Sequence, residues 1–159
     1  MEDDGIPGTT LVSAAISGNM LNWLSVGDSR MYIIRGKEIV RITTDHNYYL
    51  QLKQELENGD ISHAEYREKL CQGETLISYL GMGGIELMDR NTSPLPLQKD
   101  DIILLMSDGL YRSVSEQEMI LIASPDLPAQ EITDKLVLRS QNNSTNTQDN
   151  TSVIAIKML

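Results

Sequence analysis

Asp100-Asp101-Ile102-Ile103-Leu104-Leu105-Met106-Ser107-Asp108-Gly109-Leu110 is the stretch on which the fold turns. Its apolar run, Ile102 to Met106, is too short for a free-standing helix and is bounded by charge before it and by Ser-Asp-Gly after it. Such a run reads as a strand buried on both faces. Asp108 then stands where the strand stops, and Gly109 lets the backbone turn, which holds the carboxylate at a sheet edge facing a cleft. That placement suits a metal ligand, although a lone Ser-Asp-Gly is more often an ordinary turn.

Upstream of this strand the chain reads first as further strands. Thr9 to Ile16, the turn Ser17-Gly18-Asn19 and Met20 to Val26 make a hairpin; Met31 to Ile34 and Glu38 to Ile42 follow around Arg35-Gly36-Lys37. Four strands in series with short turns predict an antiparallel meander. At Asp45-His46 the period changes: Tyr49, Leu52 and Leu56 share a helical face, Asp45 is placed to cap the N-terminus, and Gly59 is a stop signal. Ser62 and Glu65 form a capping box that opens a second helix toward Leu70. Residues 45–72 are thus a helical insertion in the sheet. His46 reads as a capping and packing residue rather than a catalytic one, and His63 as exposed. Gly81 to Gly84 is a loop but not a phosphate loop, since no Lys-Ser/Thr follows, and Ile85 to Met88 reads as a strand.

Downstream, a capping box from Ser115 to Glu118 starts a helix through Ala123, and Ser124-Pro125-Asp126 breaks it. Ile132, Leu136 and Val137 then share a face of a helix running from Pro128 to about Ser140. The polar, asparagine-rich Gln141 to Gln148 is an exposed loop that delivers Asp149 to a final strand, Thr151 to Met158.

The 159 residues and 17.8 kDa make a single domain, with Leu, Ile, Val and Met filling a core that has Trp23 as its one Trp and no Phe. Thirteen basic against 23 acidic side chains give a charge of -10, which disfavours nucleic acid and is compatible with divalent cations. Cys71 stands alone, so an internal disulfide and a thiolate metal cluster are excluded and a reducing compartment fits. With neither a signal-type segment nor a membrane-length apolar run, the chain reads as cytoplasmic and not membrane-bound. Residues 1–7, acidic with a Gly and a Pro, read as a disordered leader.

Gly8-Thr9-Thr10, Val26-Gly27-Asp28-Ser29-Arg30, Ser107-Asp108-Gly109-Leu110 and Asp149-Asn150-Thr151 occur in that order. Each is weak alone: Gly-Asp-Ser is commonly a turn with its Arg paired to an acid, and Asp149 commonly a turn or cap residue. Together they resemble the metal-dependent protein phosphatases of type 2C, the PPM family, in a bacterial form. The resemblance implies an α+β fold, a mostly antiparallel β-sandwich flanked by helices. It implies that Asp108 and Asp149 bind Mn²⁺ or Mg²⁺, that Asp28 helps hold a third, weaker ion, and that Ser107, Gly109 and Asn150 shape the surroundings. The implied activity is hydrolysis of phosphoserine and phosphothreonine on a phosphorylated protein substrate, opposed by a cognate serine/threonine kinase, with an activated water attacking phosphorus directly. Residues 45–72 resemble the family's flap. The chain departs from the family at the front: the first third, with the Asp-Gly whose aspartate bridges two metals, has no counterpart, since Asp3-Asp4-Gly5 lacks a preceding buried strand. The expectation is therefore a partial domain of weak activity, its open sheet edges available for a homo-oligomer, or alternatively a noncatalytic partner-binding module.

Overall fold

The structure, a computed structural model, describes residues 7–143 and 149–159. The expected leader, apart from Pro7, lies outside the described residues, as do residues 144–148 of the expected polar loop.

Among the described residues eight strands form two antiparallel sheets. β1 (Leu11–Ser17) and β2 (Met20–Val26) make the expected hairpin, turning at Gly18, whose φ of 60° suits glycine. β5 (Asp89–Arg90) and β6 (Leu95–Pro96) both pair with β2. The second sheet runs β4 (Glu38–Arg41), β3 (Arg30–Arg35), β7 (Ile102–Met106), β8 (Val153–Lys157).

The expected four-strand meander is therefore divided, because β2 and β3 belong to different sheets and the chain crosses between them at Gly27-Asp28-Ser29. Burial is the reason. A flat meander would leave Leu21, Met31 and Ile33 facing water, whereas folding one hairpin over the other packs them with Leu97, Ile103 and Leu105 into a shared core. β7 lies inside its sheet, with Ile103 opposite Ile33 on one side and Ile156 on the other. Ile103 and Leu105 face the first sheet; Ile102, Leu104 and Met106 face a helical layer through Leu110, Val114, Met119, Ile132 and Leu136. All five β7 residues are buried as expected, because the strand is the middle layer of three.

Local signals place most helices. α1 (Tyr48–Asn58) ends at Gly59 in the left-handed region, φ 80°, and α2 (His63–Lys69) opens with both bonds of the Ser62–Glu65 capping box. Asp45 does not cap α1: the N-cap is Asn47, without a side-chain bond, and Asp45 is taken by Arg30. α3 (Asp108–Tyr111) is a short helix where the sequence suggests only a turn. α4 (Glu116–Ile122) carries the Ser115–Glu118 capping box, and α5 (Ala129–Asn142) runs slightly past its expected end. Ile85 to Met88 forms no strand. The Ser78 hydroxyl takes both the N–H and the carbonyl of Leu87, the groups a ladder would use.

Candidate functional site

Asp108 is the first residue of α3, directly after β7, and Ser107 beside it clamps the start of β8. The Ser107 N–H donates to the Ser152 carbonyl at 3.1 Å, the Ser152 N–H donates to the Ser107 hydroxyl at 2.9 Å, and that hydroxyl donates to the Asn150 carbonyl at 3.2 Å. A Cβ on Gly109 would lie 2.5 Å from the Asn150 carbonyl oxygen and 2.8 Å from that of Asp149. Glycine here lets the Asp149-Asn150 backbone rest on the α3 turn. Asp149 is exposed, and its carboxylate accepts from the Asn150 N–H at 2.7 Å.

Asp28 approaches from the crossover between sheets. His46, buried, fixes that crossover: its Nδ1 accepts from the Gly27 N–H at 3.1 Å while its own backbone N–H donates to the Gly27 carbonyl at 3.0 Å. The packing role expected of His46 is the one it has, but it caps no helix: its ring bonds the Gly27 amide, and the N-cap of α1 is Asn47. Gly27 sits at φ 100°, and a Cβ there would meet Thr10 Cγ2 at 2.4 Å. Thr10 in turn shares a 2.7 Å hydrogen bond with Ser29, which joins the first two motifs.

The carboxyl of Asp28 is raised above its usual range, first by burial and then by the negative charges of Asp108 and Asp45. Tyr111 donates its hydroxyl to Asp28 at 3.3 Å, and burial followed by the Asp28 charge pushes the phenol up, so it remains a donor. Arg30 pairs with Asp45 through two bonds of 3.0 and 2.7 Å and lies 3.5 Å over the Tyr111 ring. Arg112 reaches Asp108 at 3.3 Å and Glu74 at 3.0 Å. Arg30, Asp45, Tyr49, Glu74, Tyr111 and Arg112 border a cavity of about 270 Å³ beside the two aspartates. Tyr111 and Arg112 escape the sequence reading because they reach the site only if Asp108 starts a helix, which puts positions i+3 and i+4 on its face.

The carboxylates of Asp28 and Asp108 thus share one electrostatic neighbourhood, with the Asp149 backbone against the same turn. Among the described residues no three His, Cys, Asp or Glu side chains are spaced to enclose a metal ion. What the cluster offers is carboxylate oxygen, the donor type that hard divalent cations prefer.

A raised Asp28 has a consequence for stability. The ionised form is disfavoured in the fold, so the penalty is full above the folded pKa and is gone below the ordinary value of 3.8. Asp28→Asn, which keeps an oxygen acceptor for Tyr111, is expected to raise the melting temperature of the metal-free protein at pH 7 by roughly 2–4 °C, the shift that about 1 kcal/mol makes at this size. Melts in EDTA at pH 7 and pH 4 test this: the gain shrinks toward the lower pH, and a lower melting temperature at pH 7 would contradict the assignment.

No family model matches the chain. The serine/threonine phosphatase Stp of Listeria welshimeri is 31% identical over 150 residues, 94% of this chain and 56% of its own length. Protein phosphatase PhpP of Streptococcus pneumoniae is 33% identical over 151 residues, 95% of this chain and 58% of its own. The chain spans a little over half the length of these relatives. Among solved structures, the PPM Ser-Thr phosphatase MsPP of Mycobacterium smegmatis, in complex with cacodylate, superposes with a TM-score of 0.73 at 27% identity, covering 99% of this chain and 65% of that one. The catalytic domain of PstP, in complex with two manganese ions, has a TM-score of 0.66 at 24% identity over 95% of this chain and 59% of that one. Both the sequence similarity and the two-sheet fold run along nearly the whole of this chain, and they liken it to the bacterial PPM serine/threonine phosphatases over a little more than half of those proteins' length.

Proposed function

We propose that the protein takes part in metal-dependent hydrolysis of phosphoserine and phosphothreonine on proteins, with Asp108, Asp149 and Asp28 as its metal-binding carboxylates. The observation that carries this reading is the convergence on one α3 turn of Asp108, the Asp149-Asn150 backbone and the buried Asp28. A buried carboxyl raised by a like charge beside it is the uncompensated arrangement that a divalent cation relieves. Bound Mn²⁺ or Mg²⁺ supplies an activated water near neutral pH and offsets phosphoryl charge. The chain's own residues do the positioning. Ser107 and Gly109 set the distance of the 149–150 segment from Asp108, His46 fixes the Asp28 crossover, and Tyr111 orients the Asp28 carboxylate. Among the described residues no three such ligands are spaced to enclose an ion, so slow turnover is the outcome expected of this chain alone.

Tyr49 from α1 and Glu74 beyond the 3-10 turn Leu70–Gln72 border the cavity, which supports reading residues 45–72 as a flap that selects among phosphoproteins. A serine/threonine kinase would supply those substrates. Among the described residues no helix is long and apolar enough to cross a membrane, and the single cysteine, Cys71, is free, which together support a cytoplasmic setting. β1, β4 and β8 each end a sheet among the described strands, so self-association through an edge is part of the proposal.

The test is release of phosphate from a phosphothreonine peptide by the purified chain with Mn²⁺ and with EDTA. Slow release that requires Mn²⁺ is expected. Release that survives EDTA would overturn the metal reading, and none from a folded sample at any Mn²⁺ concentration would leave a binding module in its place.

A further inference from the structure

Arg112 lies outside the motifs that carry the family resemblance, yet it touches the principal carboxylate. It follows Asp108 by one helical turn and divides its guanidinium between two acids, Nη2 lying 3.3 Å from Asp108 Oδ2 and Nη1 3.0 Å from Glu74 Oε2. Glu74 belongs to the segment after α2 that is tied back to α1, where the Tyr49 N–H donates to the Gly73 carbonyl and the Tyr48 N–H to the Thr75 carbonyl, both at 2.9 Å. Arg112 therefore joins the α3 turn to the helical insertion.

We propose that Arg112 is a built-in competitor for the divalent cation at Asp108, with Glu74 as the second partner that receives the guanidinium when the ion binds. This rests on the metal-site reading of Asp108 given above. Both ion pairs are partly solvated, with the Arg112 and Glu74 side chains 44% and 62% exposed, so each is weak enough to exchange. A guanidinium and a divalent ion on the same carboxylate repel each other, so the ion must displace Arg112 or bind less tightly. Glu74 lowers the cost of displacement by holding the released charge. Because such coupling is reciprocal, metal occupancy and the tie between α3 and the insertion regulate one another. Arg112 acts here through Asp108 and Glu74 as a positioning residue.

The experiment is Mn²⁺ binding to the full chain, read from the EPR signal of free Mn²⁺, for wild type, Arg112→Gln, Glu74→Gln, the double variant and Asp108→Asn. Arg112→Gln is expected to tighten Mn²⁺ binding about three- to tenfold, and Glu74→Gln to weaken it about two- to threefold. In the Arg112→Gln background the Glu74 substitution is expected to change affinity by less than about 1.5-fold, since the effect of Glu74 passes through Arg112. Arg112→Lys, which retains the charge, stays near wild type. Equal or weaker binding by Arg112→Gln overturns the proposal, as does a Glu74→Gln effect that persists undiminished in the Arg112→Gln background. Wild type that binds no Mn²⁺, or binding that Asp108→Asn leaves intact, overturns the metal-site reading itself and this inference with it.

Discussion

Asp108→Asn is expected to cut Mn²⁺-dependent phosphate release from a phosphothreonine peptide by about 100-fold or more, while the melting temperature moves by only a few degrees. The two effects separate because of where the residue stands. Asp108 is the first residue of a short helix and its side chain is 23% exposed, so the fold gains from it little beyond helix-end electrostatics and a weak pair with Arg112. Its chemical value lies in a full negative charge at the end of the most deeply buried strand, and the amide retains the shape but not the charge. Initial rates over a Mn²⁺ titration, with melts in EDTA, make the comparison. A rate within tenfold of wild type at saturating Mn²⁺ would show that another group holds the ion.

Gly109→Ala is expected to damage both stability and metal binding. Its backbone is helical, where alanine is ordinarily the better residue, so propensity alone predicts a gain. Contact reverses the sign: the added methyl would stand 2.5 and 2.8 Å from the carbonyl oxygens of Asn150 and Asp149, which are backbone atoms and cannot rotate away. Overpacking of this kind costs about 1–3 kcal/mol, or roughly 2–12 °C in melting temperature at this size. The 149–150 segment must retreat from Asp108, and Mn²⁺ affinity is expected to fall by about tenfold or more. Gly84→Ala is the control, since nothing lies within 4 Å of a Cβ at that position. If Gly109→Ala melts and binds Mn²⁺ like wild type, the close approach of the two segments is not what builds the site.

Features set by neighbours in sequence were legible before the structure. The five buried residues of β7, the capping boxes at Ser62 and Ser115, and the Gly59 stop depend on composition and spacing within a few positions. What the sequence did not disclose depends on competition between distant groups. Asp45 fits a helix cap by every local rule, but Arg30 offers it two charge-assisted bonds and takes it. The division between sheets at Gly27-Asp28 follows from faces that need burial, and their partners, Leu97 and Ile103, are remote in sequence. Ile85 to Met88 has strand composition and loses its ladder to one serine hydroxyl. For the site, ordered motifs named Asp28, Asp108 and the Asp149-Asn150 segment, and the fold brings Asp28 and the 149–150 backbone to the Asp108 turn. Tyr111 and Arg112 were hidden because α3 is too short for any periodicity to announce it.

The position of β7 also bears on how the molecule comes to exist. Ile103 is paired on one side with Ile33 and on the other with Ile156, so the middle strand forms only when early, middle and late parts of the chain have met. Closing such loops before any contact offsets the lost entropy is slow, and domains dominated by distant strand pairings fold on the order of milliseconds to seconds. Asp108 takes its orientation from the end of that strand and Asp149 from the approach to β8, so the α3 turn and the 149–150 segment meet late in folding. A nascent chain holds its carboxylates apart until its last strand is in place.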